Sequence, residues 1–201
     1  VVNKRSGVNY ASKTNGKGKS IFDLTSSYLR RKYPNQQGLH LIHSMDNQES
    51  GLCIFARSKH AQQKMIEQWN EVELEYYTIL QSPLKHKNET FIFETQEKKI
   101  KIMYQFIDSL NYFNDSLSLV NISGLGLSGS DCRKAFAEKG NPIVADLTYG
   151  ATEFANNYLK LCCYTIKFSH PFTQKSIKIT MNPPKGFNTI NPPYKKQNGH
   201  K

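Results

Sequence analysis

The stretch His40-Leu-Ile-His43-Ser44-Met-Asp46-Asn-Gln-Glu49-Ser50-Gly51-Leu52-Cys53-Ile-Phe-Ala56-Arg57 sets a polar, turn-prone segment between two apolar runs. The segment from Ser44 to Gly51 carries Asp46 and Glu49, and the flanking runs Leu41-Ile42 and Leu52 to Ala56 read as buried strands. Loops held between rigid elements are where binding and catalytic groups concentrate. A carboxylate at the edge of such a strand pair can serve as nucleophile, general base or metal ligand. It can also be a turn former, because Asp stabilises turns by bonding its own backbone. The residue types alone leave all four open.

Upstream of this stretch, Val1 to Val8 reads as a short strand and Tyr10 to Ser20 as a polar, Lys- and Gly-rich loop suited to the neighbourhood of an anion. Ser20 or Asp23 can cap a helix running to about Lys32, which the turn Tyr33-Pro34-Asn35 ends. Downstream, Ser58 caps a helix reaching about Asn70, with Ala61, Met65, Ile66 and Trp69 at helical spacing and Trp69 read as core. Val72 to Leu80 alternates as a strand that puts Tyr76 on one face with Val72, Leu74, Thr78 and Leu80, and Tyr77 on the other. A β meander follows: Phe91 to Thr95, Lys98 to Phe106 and Ser116 to Ile122. Lys98, Lys99 and Lys101 read there as solvated edge charges that block unwanted pairing. Asp131 to Lys139 is helical, and Tyr158 to Phe168 and Ser176 to Met181 are the closing strands.

A length of 201 residues fits one domain with a real core. We place that domain at residues 1–187 and read residues 188–201 as a basic, flexible tail. The 27 Lys and Arg against 16 acids give a formal charge of +11, which favours a polyanionic partner and puts nucleic acid ahead of a membrane surface. No apolar run approaches the roughly 20 residues that span a bilayer. The four cysteines, Cys53, Cys132, Cys162 and Cys163, lack paired spacing and read as small buried hydrophobes of a reducing compartment, so a cytoplasmic location is expected. The six histidines match no zinc spacing, so no metal is expected. No signal peptide is recognisable, and the absence of an initiating Met suggests that an N-terminal piece is missing.

Gly124-Leu-Gly126-Leu-Ser128-Gly129 matches G-x-G-x-x-G after a strand and before a helix, and Asp146 falls about where a ribose-binding acid would stand. That fingerprint normally starts a repeated βαβ series. Here Tyr149-Gly150, a short linker and two strands follow instead, so a dinucleotide-binding enzyme is the lesser reading.

Taken together, the chain resembles the RluA-type RNA pseudouridine synthases along nearly its whole length. Val-Val-Asn-Lys4-Arg-Ser-Gly7-Val is similar to the family strand with Lys-Pro-x-Gly. His43-Ser44-Met-Asp46-Asn-Gln-Glu49-Ser50-Gly51 is similar to His-Arg-Leu-Asp-x-x-Thr-Ser-Gly, and the strand with Tyr76 to Lys-x-Tyr-x-Ala-x-Val. The helix with Arg133 is similar to Thr-Gly-Arg-x-His-Gln-Ile-Arg, and Gly140-Asn-Pro142-Ile143-Val-Ala145-Asp146-Leu-Thr-Tyr149-Gly150 to Gly-x-Pro-Ile-x-Gly-Asp-x-x-Tyr-Gly. Phe168-Ser-His170-Pro171-Phe-Thr173 and Pro-Pro-x-x-Phe187 complete the order.

The resemblance implies an α+β fold: a central, curved, mostly antiparallel mixed sheet with flanking helices. It implies Asp46 as the catalytic aspartate, Arg133 as its ionic partner and Tyr76 as the active-site tyrosine. RNA, ribosomal or transfer, is the implied partner of a monomer without nucleotide cofactor, and Lys4, His43, Ser44 and Lys134 are the residues read as contacting it. Departures stand beside these matches. Ser44 replaces the arginine that enters the RNA stack, Leu74 replaces a lysine, and Ser128, Ser130 and Asp131 replace arginine, histidine and glutamine. Each removes positive charge or adds an acid, which weakens phosphate contacts and opens a second reading, an RNA-binding module that has lost catalysis.

Overall fold

The computed structural model describes residues 1–11, 19–35, 38–112, 115–152 and 158–190. Most of the Lys- and Gly-rich loop and nearly all of the expected tail lie outside the described residues.

The chain opens with β1 (Val2–Lys4) and α1 (Ile21–Lys32), followed by β2 (His40–Leu41), β3 (Ser50–Cys53) and β4 (Phe55–Ala56). Next come α2 (Lys59–Glu67), β5 (Glu73–Leu80), β6 (Asn88–Glu94), β7 (Lys99–Tyr112) and β8 (Asp115–Leu125). α3 (Gly129–Glu138), β9 (Leu161–Ser169) and β10 (Ser176–Thr180) complete the described elements. One eight-stranded sheet runs β1-β3-β9-β5-β8-β7-β6, with β10 also on β9, while β2 and β4 form a separate pair. Only β3 and β9 run parallel among the described pairs. The fold is the expected α+β arrangement. Register shifts at Glu75/Tyr76 in β5 and at Phe106/Asp108 in β7 are bulges of the kind that bend and twist a sheet.

Local sequence sets the helices. Ser20 accepts from the Asp23 N–H while Asp23 accepts from the Ser20 N–H, so the two candidate caps of α1 are the two halves of one capping box. Ser128 and Asp131 repeat the device at the start of α3. α3 buries Cys132, Ala135 and Phe136, the spacing of one helical face, against a core that includes Leu74, Tyr76, Ile102, Tyr104 and Ile122 from the sheet. The Phe136 ring meets Phe91 and Tyr104 edge-on. Truncating a buried Phe typically costs about 3–5 kcal/mol, enough to loosen the helix that carries Arg133.

Two expectations are revised. The apolar run Leu52 to Ala56 splits into β3 and β4, which belong to different sheets. β7 is an interior strand between β6 and β8, so its lysines do not guard an edge; Lys99 and Lys101 project from its exposed face. The glycines of the G-x-G-x-x-G stretch give room to protein rather than to a cofactor. A Cβ at Gly124 would meet the Lys101 carbonyl, one at Gly126 would meet Asn70, and one at Gly129 would collide with the Glu49 carboxylate. The sheet beyond them is antiparallel, without the βαβ repeat a dinucleotide site requires.

Candidate active site

Asp46 sits in the loop between β2 and β3, its side chain 45 % exposed. Its Oδ1 accepts from the Gln48 N–H at 2.8 Å, so Asp46 is a turn former as well as a candidate catalyst. The loop is clamped from beneath by β1 and the residues after it. The Lys4 ammonium donates to the carbonyls of Val8, Asn47 and Glu49 at 2.9, 3.0 and 2.6 Å, Ser6 Oγ donates to the Gln48 carbonyl, and the Gly7 N–H donates to Asn47. Lys4 is 0 % exposed and burial pushes its pKa down to about 8. The expectation that Lys4 contacts RNA is therefore corrected: its charge is enclosed by the loop it supports.

His43 is corrected in the same way. Its Nε2 accepts from the Ile54 N–H at 3.1 Å and its Nδ1 faces the Ser44 carbonyl at 3.1 Å, which puts the proton on Nδ1 and engages both ring nitrogens with backbone. The ring stacks on Trp69 at 4.9 Å and leans on Tyr10 at 5.3 Å, and desolvation lowers its pKa to about 4. Trp69, half-buried in a 3-10 turn after α2, is thus both core and the platform for this imidazole.

Arg133 reaches the pocket from α3. Its Nε and Nη2 each donate to Asp146 at 2.7 Å, a two-pronged pair with Arg133 5 % and Asp146 0 % exposed. The remaining nitrogen, Nη1, lies 3.6 Å from Asp46 Oδ2 and 4.0 Å from Glu49 Oε1. The guanidinium also covers the Tyr149 ring at 4.9 Å from its centre. Arg133 and Asp46 are therefore brought together, although the direct partner of Arg133 is Asp146 and its approach to Asp46 is ionic rather than a short hydrogen bond.

Asp146, Glu49 and Tyr149 join the site from outside the residues to which the resemblance gives a catalytic role. Asp146 and Tyr149 stand in the Gly-x-Pro-Ile block quoted above, and that block is the signal that points to them. Glu49 is 3 % exposed, and burial raises its pKa to about 7 against the opposing pull of Arg133 and Lys4.

These groups frame a pocket of about 330 Å³ lined by Ser44, Asp46, Glu49, Ser128, Ser130 and Arg133, with Met45, Thr148 and Tyr149 completing the wall. Tyr76 is not part of that wall. It is 4 % exposed in the core, and burial raises its hydroxyl well above the usual range, so it is a neutral phenol beneath the site. Lys134 is exposed on α3 and Leu74 is buried at 1 %. Asp131 accepts from Lys98 Nζ at 2.9 Å as well as from Ser128, so the acid that replaces glutamine serves as a helix cap. Among the described residues no three His, Cys, Asp or Glu side chains are grouped as metal ligands would be.

A curved antiparallel sheet with an exposed aspartate set beside a buried arginine defines a class of cleft-bearing α+β protein, and comparison with known proteins supplies its family. Residues 1–134 match the family model described as RNA pseudouridylate synthase, and the chain belongs to that family, whose members are isomerases. Two human structures share the fold. RNA Pseudouridylate Synthase Domain Containing 1 aligns at 18 % identity with a TM-score of 0.67, over 90 % of this chain and 78 % of that one. RNA Pseudouridylate Synthase Domain Containing 4 aligns at 14 % identity with a TM-score of 0.70, over 92 % and 85 %. No curated protein matches the sequence. The family match ends one residue past Arg133, so the Asp146 that anchors this arginine lies beyond it.

Proposed function

We propose that the chain isomerises uridine to pseudouridine in RNA, with Asp46 acting at the ribose–base bond. The observation that carries this reading is the fixed guanidinium: two of its nitrogens are locked on buried Asp146 while the third faces the exposed Asp46 carboxylate. In the reaction the N1–C1′ bond breaks, the uracil turns, a C5–C1′ bond forms, the C5 proton leaves and N1 gains a proton. Nothing is oxidised or reduced, and no nucleotide cofactor or metal enters the scheme.

Those atoms are stacked inside RNA, so the target nucleotide flips into the pocket. Arg133 Nη1 faces the Asp46 carboxylate, the group that attacks or deprotonates, across 3.6 Å. Tyr149 lines the pocket and is the aromatic group available to the flipped base, whereas buried Tyr76 supports the floor. Polyanion binding is supported by the +11 charge. A groove of about 520 Å³ lined by Lys98, Lys99 and Lys101 supports it too, because Lys98 also reaches the start of α3 beside the pocket. Residues 1–187 act as one catalytic domain, on ribosomal or transfer RNA, as a cytoplasmic monomer. No helix among the described residues is long and apolar enough to cross a membrane.

The experiment is to delete the gene, map which pseudouridines vanish from ribosomal and transfer RNA, and restore either the wild-type gene or Asp46→Asn. Recovery with wild type alone supports the proposal; recovery with both refutes the role of Asp46. Ser44 and Leu74 favour a second reading, an RNA-binding member without turnover, for which no pseudouridine would vanish and single-turnover isomerisation would be absent.

A further inference from the structure

Glu49 lines the same pocket as Asp46 and has no part in the reaction just described. The motif quoted for the family has Thr at this place, so a carboxylate here is a feature of this chain. It is buried by packing against Gly129, whose missing side chain makes the room. Its backbone carbonyl takes the shortest of the Lys4 hydrogen bonds, 2.6 Å. Its carboxylate shares the pocket wall with Asp46, and Oε1 lies 4.0 Å from Arg133 Nη1, the same nitrogen that faces Asp46.

We infer that Glu49 is a positioning residue whose carboxylate, as the anion, holds the edge of Arg133 that serves the Asp46 side chain. The inference rests on the reading of Asp46 and Arg133 as the catalytic pair. The groups that face Glu49 are Lys4 from β1, Asp46 from its own loop, Tyr76 from β5, Arg133 and Cys132 from α3, and Cys163 from β9. Burial keeps Tyr76 and both thiols neutral, and Lys4 titrates higher, at about 8. Glu49 itself, at about 7, passes from acid to anion across neutral pH. The acid form loses the ionic hold on Arg133 Nη1.

The test is tritium release from total RNA labelled with [5-³H]uridine in cells lacking the gene, with kcat and KM followed from about pH 5.5 to about 8.5. Wild-type kcat rises about fivefold with a midpoint near 7, the factor expected at most for one ion pair of this length, while KM does not follow it. Glu49→Gln, isosteric and uncharged, abolishes that rise. An unchanged rise in Glu49→Gln overturns the inference, as does a flat wild-type profile. Carbon-13 NMR of the Glu49 carboxyl supplies a readout that needs no turnover: its midpoint lies near 7 in wild type and falls in Asp46→Asn, where a like charge is gone. A midpoint in the ordinary glutamate range, or one indifferent to Asp46→Asn, overturns it as well. Should wild type release no tritium while the NMR midpoint behaves as stated, the proposed reaction fails and the geometry around Glu49 stands.

Discussion

Replacing Asp146 by Asn removes half of a buried, two-pronged ion pair and leaves the other half in place. Arg133 then keeps its charge at 5 % exposure with an amide that can accept one hydrogen bond and presents an NH₂ group to a second N–H donor. Breaking a buried pair from one side costs about 3–5 kcal/mol because the uncompensated charge remains inside. For a chain of this size each kcal/mol moves Tm by roughly 2–4 °C, so a fall of about 6–20 °C is expected. Urea unfolding followed by circular dichroism gives the free energy, and a thermal scan gives the shift. The double variant Arg133→Met with Asp146→Leu removes both charges and regains most of the stability, as apolar replacements of buried pairs do. It stays inactive, because no guanidinium then faces Asp46. A loss below about 1 kcal/mol in Asp146→Asn would show that the pair is solvated and that Arg133 is not fixed in the way the mechanism requires.

Asp46→Asn should reduce tritium release to below about a hundredth of wild type with stability changed by less than about 1 kcal/mol, since the side chain is 45 % exposed; greater residual turnover removes Asp46 from the essential groups. Gly51 has φ +108° and its missing side chain faces the Cys163 carbonyl across the β3–β9 contact, so Gly51→Ala should lose more than about 3 kcal/mol or fail to fold, and near-wild-type urea stability would contradict that crossing. Glu49 has a folded-state pKa of about 7 against 4.5 for the exposed group, so folding takes up a proton between those values. Wild type should therefore lose stability relative to Glu49→Gln as pH rises from about 4.5 to about 7, by about 3 kcal/mol in all, with no further change above; a difference independent of pH refutes the burial of this carboxylate. RNA affinity should fall steeply between low and moderate salt while kcat at saturation holds, and a salt-independent KM would argue against phosphate contacts as its source.

Much of this architecture is readable because its causes are local. Ser20 with Asp23 and Ser128 with Asp131 announce their helices within four residues, and the alternation of Val72 to Leu80 sorts Tyr76 from Tyr77 without reference to anything distant. What escapes the sequence depends on partners brought from afar. Lys4 in a strand reads as a surface charge until a loop more than forty residues away folds its carbonyls over it. The lysines of β7 read as edge charges because strand order, which makes β7 interior, is a property of the whole sheet. Arg133 meets Asp146 through a reversal that uses left-handed backbone at Gly140 and at Ala145, where the family block has glycine. The spacing of thirteen residues carries no sign of that turn.

The charges of the site and of the chain are opposed, and the opposition bears on how RNA could be handled. Around the pocket stand three carboxylates, Asp46, Glu49 and Asp146, and the cations among them are enclosed: Arg133 is locked on Asp146, and Lys4 lies under the loop. Ser44, Ser128 and Ser130 hold the rim positions where the family motifs place Arg, Arg and His. Among the residues that line the pocket the cation Arg133 is already paired, so a phosphate finds no free cationic partner in that wall. The surplus of 27 basic over 16 acidic residues acts from elsewhere on the surface, over distances that salt screens within about 10 Å. On the proposed reading, attraction and chemistry fall to different parts of the molecule. The lysines of the β7 groove would then hold the strand by its backbone, and the pocket would take the base that has been turned out of the stack. On that reading, the serine at position 44, where the family motif has arginine, would bear on the step between them, the opening of the stack, rather than on the Asp46–Arg133–Asp146 arrangement itself.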